Sequence, residues 1–348
     1  NPNVSYTKHF DRGFDEFVGR GGLQQPTLNL LDIDEATAAY DHLPAHWRYL
    51  CVLRDAVTGD CDTARSIRHG VRVATGRAGE KLPDSGASTV LRELRDTSFG
   101  SDEFVFLNLM EAHTPYDPPA RFGTFEGRVE IPFGDAYLGV DDPERVRRGY
   151  DAAVAYLAEV YADIFAELTS SFDYVITLSD HGELLGEHGM WNHVSGIYPE
   201  LTHVPLVVSG PGFDGDTDAV VSLIDVYATI LRLAGVEPAC EGVPLSADGS
   251  AAPYLAEYRG PFERSLERAA EEGIDLRQFD RDLFALVGQG YYQYEDYDGW
   301  AHCGQPAHER PGAVLEAALD EHDIHTVEPS GMNIDDGARA QLADLGYL

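Results

Sequence analysis

Apolar residues recur at three- and four-residue steps in several parts of the chain, and this spacing predicts amphipathic helices. The longest predicted helix spans Pro143–Leu168, and a shorter one spans Ser85–Arg95, where Ser85 resembles an N-cap residue. A third predicted helix, Ser222–Gly235, ends at a glycine, which is common just after a helix. The apolar stripe predicted for the longest helix consists of Tyr150, Val154, Leu157, Tyr161, Ile164 and Leu168.

Short runs of β-branched and aromatic residues predict strands between these helices. Tyr174–Leu178 has the composition of a strand buried on both faces, and Glu103–Met110 and Thr202–Val208 predict two further buried strands. The helix at 143–168 lies between the strands at 103–110 and 174–178. We therefore expect a β–α–β unit with a right-handed connection.

The pattern changes near residue 250, where short β-like runs alternate with polar turns. Tyr254–Tyr258, Leu283–Val287 and Tyr291–Glu295 predict a small antiparallel sheet. Two short helices are predicted at 313–320 and 334–345. These elements indicate a separate C-terminal arrangement of helices and antiparallel strands.

The chain has 348 residues, which is long enough for one large α/β domain with an appendage. We predict an α/β core over 1–249, with a mostly parallel sheet sandwiched by helices. A small antiparallel α+β subdomain is predicted over 250–348.

The charge of the chain is strongly negative. Asp and Glu total 60 against 25 Lys plus Arg, a net charge of −35, and Lys8 and Lys81 are the lysines. A surface of this sign repels nucleic acid and anionic membranes, so we expect neither as a partner. The carboxylates are dispersed along the chain, as in halophilic proteins of the haloarchaeal type. In such proteins, salt screens the repulsion among the carboxylates.

We predict that the protein loses structure on desalting, because salt then no longer screens its carboxylates. The measurement is the melting temperature in molar and in millimolar salt. Equal melting temperatures would contradict the halophilic interpretation.

Targeting and cysteine patterns favour a reducing, cytoplasmic location. The chain has no apolar run long enough to span a bilayer and no signal-peptide pattern, although it begins with Asn1, so a lost targeting signal stays open. Its cysteines, Cys51, Cys61, Cys240 and Cys303, contain no C-x-x-C pair. We therefore expect free thiols and no zinc ribbon.

A dense group of polar residues follows the predicted strand at 174–178. Asp180 and His181 come directly after it, and Gly182 permits a tight turn. A carboxylate and a neutral imidazole are good ligands for a divalent cation. The alternative is that Asp180 caps the next helix. Further polar donors in the same loop are Glu183, Glu187, His188 and His193.

A second candidate residue, His113, lies just beyond the predicted strand at 103–110. Pro115 follows it in the sequence HTPYDPP, which places the imidazole in a restrained loop. The alternative is a loop histidine that packs on Tyr116.

Several of these stretches together resemble the sulfatase family of the alkaline-phosphatase superfamily. SDHGE, then GEHGMW, then His193, then ELTHVPL is similar to the second metal-binding block of that family. HTPYDPP resembles the block whose histidine contacts the ester. D-x-x-x-T-x-L-x-x-A-G over Asp225–Gly235 and the final DLGYL are also similar to family segments. In the helix block, Asp225 is expected to cap or anchor the helix.

The resemblance implies roles for particular residues. Asp180 and His181 would supply half the ligands of a divalent cation, with Ca²⁺ favoured over Mg²⁺ or Mn²⁺. His113 would stabilise or protonate the leaving oxygen. His193 stands where the family commonly has a lysine that touches the sulfate, so the charge there becomes pH-dependent. His203 would line the rim of the substrate site.

The resemblance also implies that a family segment lies upstream of this chain. Gly13–Phe17 (GFDEF) is similar to a segment that follows the family's nucleophile motif, C/S-x-P-x-R, and its paired acidic metal ligands. Cys61–Arg65 has Thr63 in place of the proline, and Leu31–Asp34 mimics the paired acids. Both lie after the GFDEF segment, so we interpret them as coincidental and expect little turnover from this chain alone.

The expected function is metal-assisted hydrolysis of a small-molecule or carbohydrate sulfate ester, with a formylglycine nucleophile from the upstream segment. The family more often has asparagine where His181 stands. Since histidine there is typical of phosphonate monoester and phosphodiester hydrolases, that activity is the second hypothesis. A non-catalytic binding protein on a degraded sulfatase scaffold is the third. The sequence carries no information on oligomeric state.

Overall fold

The computed structural model of the protein describes residues 13–18, 40, 45–59, 86–123, 128–238, 240–245 and 253–321. The predicted helix at 334–345 and the segments Leu31–Asp34 and Cys61–Arg65 lie outside these ranges, as does Ser85.

The described helices agree with the main helical predictions. The predictions at 143–168, 85–95, 222–235 and 313–320 are confirmed by α4, α2, α6 and α8, with small shifts at the ends. The helices are α1 (Ala45–Thr58), α2 (Ala87–Asp96), α3 (Phe133–Leu138), α4 (Pro143–Ser171), α5 (Pro199–Thr202), α6 (Leu223–Leu233), α7 (Glu263–Glu272) and α8 (Pro311–Glu321).

The strands form three antiparallel groups. β1 pairs with β4, β2 pairs with β3, and β5 to β8 form a four-stranded sheet in chain order. The strands are β1 (Val175–Leu178), β2 (Leu184–Leu185), β3 (Trp191–Asn192), β4 (Leu206–Ser209), β5 (Tyr254–Arg259), β6 (Asp282–Gly288), β7 (Tyr291–Glu295) and β8 (Trp300–Gly304).

The predicted mostly parallel sheet is not found in the described part of the chain, where every strand pair is antiparallel. The segment 103–110 is extended but forms no ladder there, so the predicted β–α–β unit is absent from these ranges. Its Leu107 and Leu109 pack against a cluster between α2 and α4, whereas Phe104 and Phe106 are exposed. β1 is also not buried on both faces, because Leu178 is 41% exposed.

Helix α4 is the central support of the described core. Its N-cap, Asp142, accepts a hydrogen bond from the backbone N–H of Arg145, and Pro143 occupies the first turn. The predicted stripe is partly wrong, since Val154 is 38% exposed. Small residues shift the buried face, and a Cβ on Gly149 would lie 3.0 Å from Val129. The buried residues of α4 are Val146, Gly149, Ala152, Ala153, Tyr156, Val160 and Ile164.

Helix α6 confirms the predicted anchoring role of Asp225, whose side chain is buried. Its carboxylate accepts hydrogen bonds from the backbone N–H of Ser222 and of Val243, and from the hydroxyl of Tyr254. Ser222 in turn accepts from Ile224 N–H at 3.4 Å, which completes a capping box. One carboxylate therefore fastens the start of α6 to two later segments of the chain.

We expect Asp225→Ala to lower the free energy of unfolding by about 3 kcal/mol or more, since three donors lose their acceptor in a buried site. The matched control is Asp142→Ala, which removes an exposed N-cap that accepts one backbone N–H and is expected to cost about 1 kcal/mol. Urea unfolding of both variants measures the difference. Equal losses would contradict the anchoring role.

The C-terminal sheet confirms the predicted antiparallel strands and adds β8. It shares a hydrophobic core with the preceding part of the chain. Leu283, Ala285 and Tyr292 of this sheet belong to the same buried cluster as Tyr116 and Trp191. The units predicted at 1–249 and 250–348 are therefore joined by continuous apolar packing.

Cysteine chemistry agrees with the sequence-based expectation in the described ranges, where Cys51, Cys240 and Cys303 are free thiols. Among the helices of these ranges, none combines the length and apolar character that a membrane crossing requires.

Candidate functional site

The loop after β1 carries Asp180 and His181 side by side. Ser179 Oγ donates to the His181 carbonyl at 2.6 Å, and Asp180 Oδ1 accepts from the His181 backbone N–H at 3.1 Å. Asp180 Oδ2 lies 3.7 Å from His181 Nε2. Two atoms this close could both be ligands of one divalent cation, whose ligand distances are about 2.0–2.6 Å. The two predicted metal ligands therefore lie close enough to share one ion.

Gly182 fixes this loop against helix α5. Its N–H donates to the carbonyl of Leu201 at 2.8 Å. A Cβ at position 182 would lie only 1.9 Å from the carbonyl oxygen of Glu200. The sequence requires glycine here because the loop backbone contacts the helix backbone directly.

His193 follows the short β2–β3 hairpin, which α4 holds in place. Arg147 of α4 donates to the Leu185 carbonyl at 2.9 Å, and its guanidinium lies 5.2 Å from the ring centroid of Trp191. Asn192 adopts a left-handed conformation with φ 68°, and its side-chain oxygen accepts the His193 N–H at 2.7 Å. The turn therefore directs His193 away from the hairpin.

His113 stands in a loop that is secured on both sides. Its backbone N–H donates to the Met110 carbonyl at 3.1 Å. Beyond it, Tyr116 and Val129 exchange backbone hydrogen bonds of 2.8 and 2.9 Å. The buried ring of Tyr116 packs edge-on against Tyr150 of α4 at 5.6 Å. The loop thus lies on the same helix that supports the hairpin of His193.

These elements bring three of the predicted histidines together. The ring centroids of His113 and His193 lie 5.0 Å apart, and those of His181 and His193 lie 4.2 Å apart. We call His113, His181 and His193 the imidazole cluster. His203 is exposed, and its backbone N–H closes the end of α5 on the Pro199 carbonyl. The structure shows no ring contact between His203 and the cluster in the described part of the chain.

The hydrogen bonds of the imidazole cluster define its protonation. Nδ1 of His113 contacts the Thr114 carbonyl, and Nδ1 of His181 lies 2.8 Å from the Gly182 carbonyl. Since a carbonyl only accepts, both Nδ1 atoms carry the proton, and in the neutral rings both Nε2 atoms carry lone pairs. That tautomer is the one that binds a metal ion through Nε2.

Glu183 is the buried carboxyl group of the site. Its side chain is 6% exposed, and Oε2 lies 3.3 Å from His193 Nδ1. Burial raises the pKa of Glu183 to about 8. Burial also lowers the pKa of His113 to about 4 and that of His193 to about 3. At neutral pH the interior of the site therefore carries little charge.

Two buried polar atoms beside the cluster, Glu183 Oε1 and Tyr116 Oη, have no other hydrogen-bond partner within the described ranges. The two groups lie close enough to interact with each other, since the Glu183 carboxyl contributes, after burial, to the raised pKa of Tyr116. As they stand, no three His, Cys, Asp or Glu side chains of the described chain form a metal-binding group. Asp180 and His181 fit the two-ligand half-site that the sequence predicts.

Glu183 and Tyr116 were given no role by the sequence, although each lies close to a predicted site residue. The available signals were the acid two residues after His181 and the tyrosine three residues after His113. His188, named above among the polar donors of the loop, stacks on Tyr198 with the ring centroids 3.9 Å apart and contacts Glu200 at 3.2 Å. Its contacts are structural.

The pKa of Glu183 predicts a loss of stability with rising pH in metal-free protein. Folded Glu183 titrates near 8 and its ordinary value is 4.5, so the folded state holds an extra proton between them. His113 and His193 act oppositely, but only below their ordinary value of 6.5. From pH 6.5 to 8, Glu183 should therefore remove roughly 1–2 kcal/mol of stability.

Urea unfolding of the wild type and of Glu183→Gln in EDTA across this range measures the effect. The glutamine variant should lack the decline, because its side chain does not titrate. Parallel curves for the two proteins would contradict the raised pKa.

The family model named Sulfatase matches residues 5–236, more than half of the chain. This protein belongs to the Sulfatase family.

Curated relatives match over shorter stretches. The chain is 45% identical over 64 residues to arylsulfatase K from Bos taurus and 35% identical over 115 residues to choline-sulfatase from Rhizobium meliloti (strain 1021). These stretches cover 18% and 30% of this chain, and 12% and 22% of the relatives. The chain thus matches less than a quarter of the length of either relative.

Among solved structures, the phosphonate monoester hydrolase of Agrobacterium radiobacter is similar with a TM-score of 0.48 and 17% identity. The match covers 67% of this chain and 58% of that chain.

Proposed function

We propose that this protein takes part in metal-dependent hydrolysis of sulfate esters, as a sulfuric ester hydrolase. The observation that supports this most is the imidazole cluster beside the adjacent Asp180 and His181. One carboxylate and three imidazoles lie in one small region there, and groups of these kinds can bind a cation and an anionic ester. Sulfatase family membership favours the same reaction.

Asp180 and His181 would hold a divalent cation, and Ca²⁺ is the proposed ion, with Mg²⁺ or Mn²⁺ as alternatives. The fit rests on the lone pair at His181 Nε2 and on its 3.7 Å separation from Asp180 Oδ2. When bound, such an ion neutralises charge on the ester oxygens. The other ligands and the formylglycine nucleophile are proposed to come from outside the described residues.

His113 would protonate the leaving oxygen as the S–O bond breaks, and His193 would contact the sulfate oxygens. Burial, and next the neighbouring His193, lower the pKa of His113 to about 4, so its ring is neutral at pH 7. An anionic ester beside it raises its pKa, because an opposite charge stabilises the imidazolium. The negative charge of the bound substrate would thus favour protonation of His113, which the reaction needs as a general acid. His203 is proposed to contact substrate only at the rim, given its exposure.

Hydrolysis of phosphonate monoesters or phosphodiesters is the second candidate. The observation that favours it is the imidazole of His181, which stands where sulfatases more often have an asparagine. A non-catalytic anion-binding role is the remaining outcome of the test.

The test uses protein produced from the complete gene, assayed with p-nitrophenyl sulfate and p-nitrophenyl phenylphosphonate. We expect sulfate hydrolysis to be lost in EDTA and restored by Ca²⁺ or Mn²⁺. Faster cleavage of the phosphonate would favour the second candidate. Metal binding without turnover of either ester would leave only a binding role and overturn the proposed hydrolysis.

Setting and organisation complete the proposal. The substrate would be a small-molecule or carbohydrate sulfate ester, and the protein would act in a high-salt cytoplasm, as the net charge of −35 suggests. Residues 1–249 are proposed as the α/β core and residues 250–348 as the C-terminal α+β subdomain. The shared core shows that the two parts pack against each other.

A further inference from the structure

Tyrosine hydroxyls from the C-terminal sheet and its turns reach the segment that follows His193. Ser195, two residues after His193, is buried, and its Oγ lies 2.5 Å from the hydroxyl of Tyr297, which lies between β7 and β8. The hydroxyl of Tyr258 on β5 donates to Ser195 Oγ and to the Val194 carbonyl, each at 3.5 Å. The backbone beside His193 is therefore held from a distant part of the chain.

Another tyrosine of the same sheet holds the far end of this segment. The hydroxyl of Tyr292 on β7 donates to the Ile197 carbonyl at 2.9 Å and accepts from Thr202 Oγ1 at 2.8 Å. Ile197 precedes α5, and Thr202 is its last residue. One hydroxyl thus fixes the position of α5 relative to the C-terminal sheet.

Helix α5 is in turn the support of the loop that carries His181. Gly182 N–H binds the Leu201 carbonyl, and the loop backbone contacts Glu200 with no space for a side chain. His193 and His181 are therefore attached, one at each end, to the segment 194–202. Both ends of that segment are set by tyrosine hydroxyls of the C-terminal region.

We propose that Tyr297 and Tyr292 are positioning residues, which set the geometry between His193 and His181 through Ser195 and through α5. Neither tyrosine belongs to the imidazole cluster or is a candidate metal ligand. This inference rests on the proposed function, because the geometry between His193 and His181 matters for catalysis only if the site hydrolyses esters. The C-terminal sheet would then set the relative positions of His193 and His181, in addition to forming part of the core.

The test is nuclear magnetic resonance of the imidazole rings in histidine-labelled protein with EDTA and without substrate. Assignment uses His193→Gln and His181→Gln. Tyr297→Phe and Ser195→Ala should each shift the His193 ring signals, and the double variant should shift them by less than the sum of the two, because both changes break the Ser195–Tyr297 hydrogen bond. Tyr292→Phe should shift the His181 signals.

The matched control is Tyr291→Phe, which also removes a hydroxyl from β7, one that lies 3.3 Å from His308. It should leave the His193 and His181 signals in place, and the exposed ring of His302 on β8 should stay unshifted in every variant. Unchanged His193 signals in Tyr297→Phe and Ser195→Ala would overturn the inference. An equal shift of His302, or additive shifts in the double variant, would also overturn it.

The readout involves neither metal nor ester, so it is separable from the proposed function. Shifts as expected in a protein that hydrolyses no ester would retain the positioning role and overturn the hydrolase. Hydrolysis without the expected shifts would retain the hydrolase and overturn the positioning role.

Discussion

His113→Gln is expected to lower kcat for sulfate ester hydrolysis by about 10²–10⁴-fold in the protein from the complete gene, the range that loss of a general acid produces. Glutamine keeps a polar side chain in the space of the ring but has no proton to transfer. The loss should be larger for an alkyl sulfate than for p-nitrophenyl sulfate, because a good leaving group needs less protonation. Initial rates with both esters measure it.

The control for this prediction is His188→Gln, which removes an imidazole that stacks on Tyr198 outside the cluster. It should leave kcat close to the wild-type value. Equal losses for the two esters in His113→Gln would argue against proton donation, and a loss below about fivefold would remove His113 from the reaction.

Gly182→Ala is expected to lower the free energy of unfolding by at least about 3 kcal/mol, beyond the usual effect of an added methyl group. The new Cβ would stand 1.9 Å from the Glu200 carbonyl oxygen, a backbone atom, so one backbone segment would have to shift. The change should also weaken cation binding, since the loop of Asp180 and His181 would be pushed from α5. Urea unfolding and calorimetric titration with Ca²⁺ measure the two effects.

Gly312→Ala is the matched control, because a Cβ there meets no atom within 4 Å. Gly312 lies in the first turn of α8, where alanine is expected to leave stability unchanged or to raise it by up to about 1 kcal/mol. A loss in Gly182→Ala no greater than in this control would show that the loop and α5 separate easily.

Local pattern was enough to predict the elements that form through their own residues. The helices α4 and α6 follow from three- and four-residue spacing, and β1 follows from its β-branched run. The placement of Asp180 and His181 after β1 also follows from order along the chain. In the structure, the rings of His113 and His181 lie 5.0 and 4.2 Å from the ring of His193.

Features that depend on distant packing were not predictable in this way. The run at 103–110 has the composition of a strand, but a strand also needs a partner, which composition does not specify. The burial of Glu183 depends on the environment created by separate segments, so its sequence position alone gave it no role. The exposure of Val154 follows from Gly149 and Ala153, which turn the small-residue face of α4 inward.

The shared hydrophobic core has a consequence for protein engineering. A chain cut at residue 249 would lose Leu283, Ala285 and Tyr292 from that cluster and leave Tyr198 without the ring of Tyr294. Such a product should aggregate, because it would expose a large apolar surface. Exchanging the C-terminal strands between relatives would likewise replace one side of the shared hydrophobic core without the other. The two parts are therefore not independent modules.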